Sequence, residues 1–266
     1  MRVVRTIAEV REALGPLRSG SIGLVPTMGG LHGGHSSLCY EARADCETVV
    51  MSIFVNPTQF ADEADLAAYP RDEASDLEFL RRNAEEDSGV EDVDIVFIPS
   101  VEEMYPPGFQ TWVDVTELAS VLEGAFRPGH FRGVATVVLK LLAIVEPDRA
   151  YFGRKDAQQF EVIRQMVRDL ALDVEIVSVP TVRDADGLAL SSRNARLTPE
   201  ERVRATSLFH ALQTRDASRA RAVLAEAGLE PDYIEVIHSG DRKLLAGAVR
   251  IGENRLIDNI VLEGDT

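Results

Sequence analysis

An α/β protein built on a parallel sheet, followed by a smaller α+β region, is the fold class this sequence predicts. Three observations carry that expectation. Short apolar runs rich in β-branched residues recur from the N-terminus to about Pro180. Stretches of helical pattern separate them, and apolar strands alternating with helices imply a parallel sheet covered on both faces. After Pro180 the order changes to helices followed by strands, which reads as a second, α+β domain. With 266 residues, 45% of them apolar, the chain can form one or two packed cores.

The elements follow in order. "RVV" opens the chain, and Thr6 with Glu9 three residues on fits a capping box, so a helix starts there. "SIGLVP" is a short apolar run ending in proline and reads as a buried strand. "ETVVMSIFV" has the β-branched content that strands favour, and "DIVFIP", "RAYFG" and "VEIVSVP" are three more candidates. Helices are expected at Ser36–Asp45, Glu73–Arg82, Val134–Ile144 and Gln158–Leu170. The acidic run "NAEEDSGVEDVD", Asn83 to Asp94, reads as a solvated surface loop, because its acids lack the ligand spacing of a cation-binding loop. "LTPEER" is a strong helix start, with Thr198 as cap, Pro199 at the first helical position and Glu201 closing a capping box. Two amphipathic helices follow, then strands at "DYIEVI", "LLAGAVRI" and "RLIDNIVL". The expected division is therefore a domain over 1–182 and a smaller one over 183–266.

Charge narrows the function. A formal net charge of -16 argues against nucleic acid or an anionic membrane as the main partner. An anionic ligand would need a local positive pocket against that field. The N-terminus shows no secretory signal and no long apolar span, so a cytoplasmic location is expected. Cys39 and Cys46 would sit about 10.5 Å apart on one helix at a rise of about 1.5 Å per residue. That exceeds the disulfide limit of about 7 Å, so free thiols are expected.

Four stretches carry candidate chemistry, each placed at the end of an expected strand. Ligands bind beyond the carboxyl ends of the strands in open parallel sheets. In "VPTMGGLHGGHSSL" the glycines let backbone approach a ligand, and the following helix N-terminus offers N–H groups and a positive dipole end suited to phosphate. His32 and His35 would add donors; a plain glycine turn and a zinc site are the competing readings, the latter lacking a third ligand nearby. "FVNPTQF" places Asn56 and Gln59 three apart, where uncharged amides hold hydroxyls and carboxylates, or where Asn56 merely caps a proline-led turn. "YFGRKDAQQF" ends a strand at Gly153 and brings Arg154 and Lys155, with Asp156 able to cap the next helix and Gln158 and Gln159 in its first turn. "RDADGLALSSRN" offers Ser191, Ser192 and Arg193 as phosphate donors, or a polar interdomain loop.

Together these stretches resemble the pantoate–β-alanine ligase family. "PTMGGLHGGH" resembles its P-T-M-G-A-L-H-x-G-H, "FVNPTQF" its F-V-N-P-x-Q-F, "FGRKDAQQ" its F-G-E-K-D-x-Q-Q, and "DGLALSSRN" its D-G-L-A-M-S-S-R-N. "IPSVEEMYP", "PGHFRGVATVV" and "RLIDNI" are also family-like, so the resemblance covers nearly the whole chain. It implies a Rossmann-like, nucleotidyltransferase-type α/β domain with a smaller C-terminal α+β lid domain. The implied reaction condenses pantoate with β-alanine through pantoyl adenylate, releasing AMP and pyrophosphate. ATP is the co-substrate and Mg2+ accompanies it; no metal ligand on the protein is assigned.

The resemblance also implies roles. Met28, Gly29, Gly30, Leu31, His32, Gly33, Gly34 and His35 would form the first ATP loop, with His35, His32 and Lys155 catalytic. Gly153, Arg154, Lys155, Asp156, Val182, Leu190, Ser191, Ser192 and Arg193 would complete ATP binding. Gln59, Gln159 and Asn56 would hold pantoate and β-alanine. The partners implied are these small molecules and a second copy in a homodimer, with no nucleic acid and no membrane. Departures from the pattern are Gly33 for a usual Glu, Arg154 for Glu, Ala157 for a common Tyr and Leu190 for Met, and the second domain reads as shortened around "QTRDASRAR" and "IHSGDRKLL". A nucleotidyltransferase acting on another small acid or alcohol, and a binding protein that has lost catalysis, are the competing classes. "FVNPTQF" and "KDAQQ" separate the first from the family reading, and retention of His32, His35, Lys155 and Arg193 argues against the second.

Overall fold

The computed structural model describes residues 1–87 and 92–263, with the side chains of 83–87 outside the description. In chain order the elements are β1 (Arg2–Val4), α1 (Ile7–Leu14), β2 (Ile22–Thr27), α2 (Gly33–Asp45), β3 (Thr48–Ile53), α3 (Glu63–Ala68), α4 (Glu73–Asp87), β4 (Ile95–Phe97), α5 (Val101–Met104), α6 (Glu123–Phe126), α7 (His130–Val145), β5 (Arg149–Gly153), α8 (Ala157–Asp169), β6 (Glu175–Val179), α9 (Pro199–Leu212), α10 (Ala217–Glu226), β7 (Pro231–Ser239), β8 (Arg242–Ile251) and β9 (Asn254–Glu263). The expected strands and long helices are all present, and both capping boxes form, at Thr6 with Glu9 and at Thr198 with Glu201.

The chain divides into two compact units. The first comprises 1–152 and 162–179, the second 153–161 and 180–266. The segment 153–161 therefore groups with the C-terminal strands and not with the sheet that leads into it.

A six-stranded parallel sheet, in the order β1-β4-β3-β2-β5-β6, organises the first unit. β2 pairs in register with β3, from Ile22 opposite Thr48 to Thr27 opposite Ile53. On its other side β2 pairs with β5 through Gly23 and Leu24. The chain thus builds outward from β2 in one direction through β3 and β4, and in the other through β5 and β6. Right-handed crossovers then place α2 and α4 on one face and α7 on the other. The first face buries Val25, Leu38, Cys39, Ala42, Val49, Met51, Leu80 and Tyr151. The reversal of direction between β2 and β5 is the topological switch point, outside which ligands of such sheets bind.

The second unit packs α9 and α10 against the antiparallel sheet β7-β8-β9. Its core contains Leu208, Leu212, Leu224, Ile234, Leu245, Val249 and Leu256, all buried.

Three local readings are corrected. α2 begins at Gly33 and not at Ser36, because His32 supplies the cap. Asn83–Asp87 continue α4 as helix instead of opening a loop, and residues 88–91 of the acidic run lie outside the described residues. Asp94, at the end of that run, is half-exposed but tied into the fold: its Oδ2 accepts from Val49 N at 2.8 Å and pairs with Arg43 at 2.5 Å. Cys39 and Cys46 are free, as expected; both are also buried, and burial pushes the Cys39 thiol up to about 12.

Candidate active site

The turn after β2 is built by its own histidines. His32 is the N-cap of α2, and its Nδ1 accepts from Gly34 N at 3.1 Å. His35, three residues on, returns the bond: its Nδ1 accepts from His32 N at 3.2 Å. A capping box normally uses a hydroxyl and a Glu or Gln; here two imidazoles make it, with ring centroids 4.2 Å apart. A backbone N–H can only donate, so both Nδ1 atoms are acceptors. In the neutral rings this places both hydrogens on Nε2. A proton on either Nδ1 would cost its cap bond.

This corrects one expectation. The N–H groups of the first helical turn were expected to face a phosphate, but Gly34 N bonds His32 Nδ1, while His35 N and Ser36 N bond His32 O at 2.7 and 3.3 Å. The positive dipole end remains, and the donors it brings are the imidazole Nε2–H groups.

The glycines before the cap are held from below by Asp76 of α4. Asp76 Oδ1 accepts from Leu31 N at 2.7 Å and Oδ2 from Gly30 N at 3.1 Å. Asp76 is buried, which pushes its carboxyl above the ordinary aspartate range, while the two backbone donors oppose that shift. Gly29 has φ +79, and a Cβ there would lie 2.7 Å from Asp76 Oδ2, so only glycine fits. In sequence Asp76 reads as one more surface acid of a helix; only its burial reveals it.

The amides of "FVNPTQF" form a fixed relay in the first unit. Asn56 caps the 3-10 turn Pro57–Gln59 and is fully buried. Its Oδ1 accepts from Tyr105 Oη and Thr58 Oγ1, both at 2.9 Å. Its Nδ2 donates to Gln59 Oε1 at 3.0 Å and to Gly133 O at 3.2 Å. Both side-chain polar atoms of Asn56 are therefore bonded inside the protein, and Gln59 Oε1 is held by Asn56, which leaves its Nε2 as the amide's donor group. The turn-cap reading of this stretch holds, and the cap also orients Gln59.

His130 and Gly133 fix the same turn from α7. His130 Nδ1 donates to Gln59 O at 2.8 Å, while Nε2 accepts from Arg127 Nη1 at 3.1 Å. A Cβ on Gly133 would fall 2.4 Å from Thr58 O, so the close approach of α7 requires glycine. The sequence signal for these residues was "PGHFRGVATVV", which carried no assigned role.

The remaining predicted residues lie in the second unit, all partly buried. Arg154, Lys155 and Asp156 form a 3-10 turn whose N-cap is Gly153 and which runs directly into α8. Asp156 thus ends that turn, with Oδ2 3.9 Å from Lys155 Nζ. Burial and the nearby Arg242 hold the Arg154 guanidinium below its ordinary range. Gln159 follows in the first turn of α8, and Ala157 beside it is buried. Val182 and Leu190 face each other across a hairpin, Leu190 N donating to Val182 O at 3.0 Å. Ser191 caps the 3-10 turn Ser192–Arg196, its Oγ accepting from Arg193 N at 3.3 Å.

An open parallel sheet with a glycine turn at its switch point, paired ring donors at a helix start and a lysine turn after a sheet strand defines a Rossmann-like, nucleotidyltransferase-type enzyme class. The family model described as pantoate-beta-alanine ligase matches residues 2–261, and the chain belongs to that family. A pantothenate synthetase of Chloroflexus aurantiacus is 52% identical over 289 residues, covering 100% of this chain and 99% of that protein. One from a Roseiflexus species is 54% identical over 286 residues, covering 99% and 100%. The crystal structure of pantothenate synthetase from Thermus thermophilus is 46% identical with a TM-score of 0.88, covering 98% of this chain and 99% of that one. A pantoate-beta-alanine ligase from Francisella tularensis, complexed with beta-gamma ATP and beta-alanine, is 37% identical with a TM-score of 0.86, covering 98% and 97%.

Proposed function

We propose that this chain condenses pantoate with β-alanine at the expense of ATP, through a pantoyl adenylate. The pantoate carboxylate attacks the α-phosphorus of ATP and pyrophosphate leaves. The amine of β-alanine then attacks the acyl carbon of the adenylate, and AMP leaves with pantothenate formed. The observation that carries this reading is the double-histidine cap, which directs two Nε2–H groups from a helix start within a family-wide match. Donors fixed where phosphate charge develops stabilise the transition state without reorganising.

The roles follow the chemistry of each group. His35 and His32 donate to phosphate oxygens, and Met28, Gly29, Gly30, Leu31, Gly33 and Gly34 line the nucleotide with their backbone. Lys155 supplies a point charge against the net -16 of the chain. Gly153, Arg154, Asp156, Val182, Leu190, Ser191, Ser192 and Arg193 complete ATP binding. Gln59 and Gln159 donate to the hydroxyls and carboxylate of pantoate, with Asn56 setting the Gln59 amide. Magnesium enters with the nucleotide, since Mg2+ commonly binds through substrate phosphates with one or two carboxylates.

The smaller domain of the expected division, 183–266, serves as a lid, and the working form is a cytoplasmic homodimer. Among the described residues no helix is long and apolar enough to cross a membrane. The deciding experiment measures AMP formation with ATP, pantoate and β-alanine, each omitted in turn. AMP must need all three, and pyrophosphate release must need pantoate but not β-alanine. Pyrophosphate release without pantoate overturns the reading. Light scattering at a protomer mass tests the dimer.

A further inference from the structure

We infer that Asp258 and Asn259, neighbours on β9, are the positioning residues that fix the Arg154–Lys155 turn and the hairpin leading to Ser191–Arg193. The "RLIDNI" stretch that contains them has no role in the reaction proposed above, and this inference rests on that proposal for what the two loops do.

Successive side chains on a strand point to opposite faces. Asn259 uses one face and Asp258 the other. Asn259 Nδ2 donates to Arg154 O at 3.0 Å and to Lys155 O at 2.9 Å. Both of its hydrogens are thereby spent on two consecutive carbonyls of one turn, which fixes the turn's orientation as well as its place. The donor comes from 105 and 104 residues further along the chain, so nothing local can replace it. Asn259 is buried, and its removal leaves two carbonyls short of a partner.

Asp258 acts on the second loop through Arg183. Its carboxylate takes Arg183 Nη1 at 2.6 Å and Nη2 at 2.9 Å, a bidentate pair. Asn259 N donates to Asp258 Oδ1 at 2.8 Å and so fixes the carboxylate plane. Arg183 also donates to Gly187 O and Asn259 O, both at 3.0 Å, and its guanidinium lies 4.5 Å over the Phe209 ring. Arg183 in turn bridges Ala189 across the hairpin whose return arm runs into Ser191. One dipeptide therefore sets the backbone of both stretches to which phosphate contacts are assigned in this unit.

The test is Asn259→Asp, which keeps shape but presents a carboxylate to two carbonyl oxygens, beside Asn259→Gln, which keeps two donors. Asn259→Asp should raise KM for ATP about tenfold or more, since a displacement of about 1 Å at a site costs about a hundredfold in rate. KM for pantoate should stay within about twofold, and Asn259→Gln should recover most of the ATP effect. Amide exchange over 153–158 should accelerate in Asn259→Asp while α9 and β8 stay protected. Where Asn259→Asp does not fold, Asn259→Ser, with one donor, gives the same readouts. An unchanged ATP KM together with unchanged exchange over 153–158 overturns the inference, as does a parallel fall of all constants with global loss of protection. Wild-type protein without pantoate-dependent pyrophosphate release would overturn the reaction instead, and the exchange measurement would still decide the positioning.

Discussion

Two strand-to-helix turns carry the charged and ring donors of this protein, and they are held in different ways. The turn after β2 is braced largely from within: His32 and His35 cap each other three residues apart, and Asp76 adds two bonds beneath. The turn after β5 leans on a strand near the C-terminus, through Asn259 on the carbonyls of Arg154 and Lys155. In the proposed reaction the first turn couples binding groups to helix stability, because the rings assigned to phosphate also cap. In the same proposal the second separates the two tasks: Lys155 is assigned the charge while Asn259 holds its backbone. Substitutions in the first turn should therefore move stability and activity together, and those in the second should move them apart.

His35→Ala should have the largest effect. Loss of a fixed donor at developing charge lowers pantoate-dependent pyrophosphate release by about a hundredfold or more. Loss of the cap bond lowers stability by about 0.5–2 kcal/mol as well. Turnover near wild type in a folded variant would break the comparison at its first member. Lys155→Ala should raise KM for ATP about 10- to 100-fold, the range expected for a charge-assisted hydrogen bond of about 1.5–3 kcal/mol. Its denaturation midpoint should stay at the wild-type value; a shifted midpoint would show that Lys155 also braces its turn.

Asp76→Ala should orphan the N–H groups of Gly30 and Leu31, at about 1–3 kcal/mol for each buried donor. Chemical denaturation should register the loss, with an accompanying fall in activity of about tenfold as the His32 turn loosens. Stability lost with activity intact would mean that the histidine cap alone orders the turn. Arg154→Glu should be the smallest change. Arg154 Nε is buried without a hydrogen-bond partner, and the guanidinium stands near Arg242. The substitution removes both costs, so stability should rise by up to about 1 kcal/mol, with ATP KM within threefold of wild type if Arg154 serves ATP binding through its backbone and Lys155 supplies the charge. A tenfold rise would move the phosphate role from Lys155 to Arg154.

Much of this was legible in the sequence, for a physical reason. Secondary structure here follows local rules: apolar runs, β-branched content and the boxes at Thr6 and Thr198 act within a few residues, so "SIGLVP", "ETVVMSIFV" and "LTPEER" declare themselves. The glycine–histidine stretch was legible as a strand-to-helix turn, because its glycines and the helix start lie within a few residues; that His32 and His35 cap the helix was not. Asp76 was not, since an acid in "YPRDEASDL" looks the same whether it faces water or the backbone of Gly30. His130 and Tyr105 were equally silent, each acting on Gln59 or Asn56 across 71 and 49 residues.

The sequence by itself determined the parallel α/β class, the helix caps, the positions of the polar stretches and the family. Each depends on composition or on spacing within one element. Only the tertiary structure decided which groups hold those stretches in place: which nitrogen of His32 and His35 caps the helix, which atom of Gln59 accepts from Asn56, and that Asn259 bonds the turn at Lys155. A hydrogen bond is set by distance and direction in space, and a chain folded this way brings residues a hundred positions apart within 3 Å, a relation that no local pattern encodes.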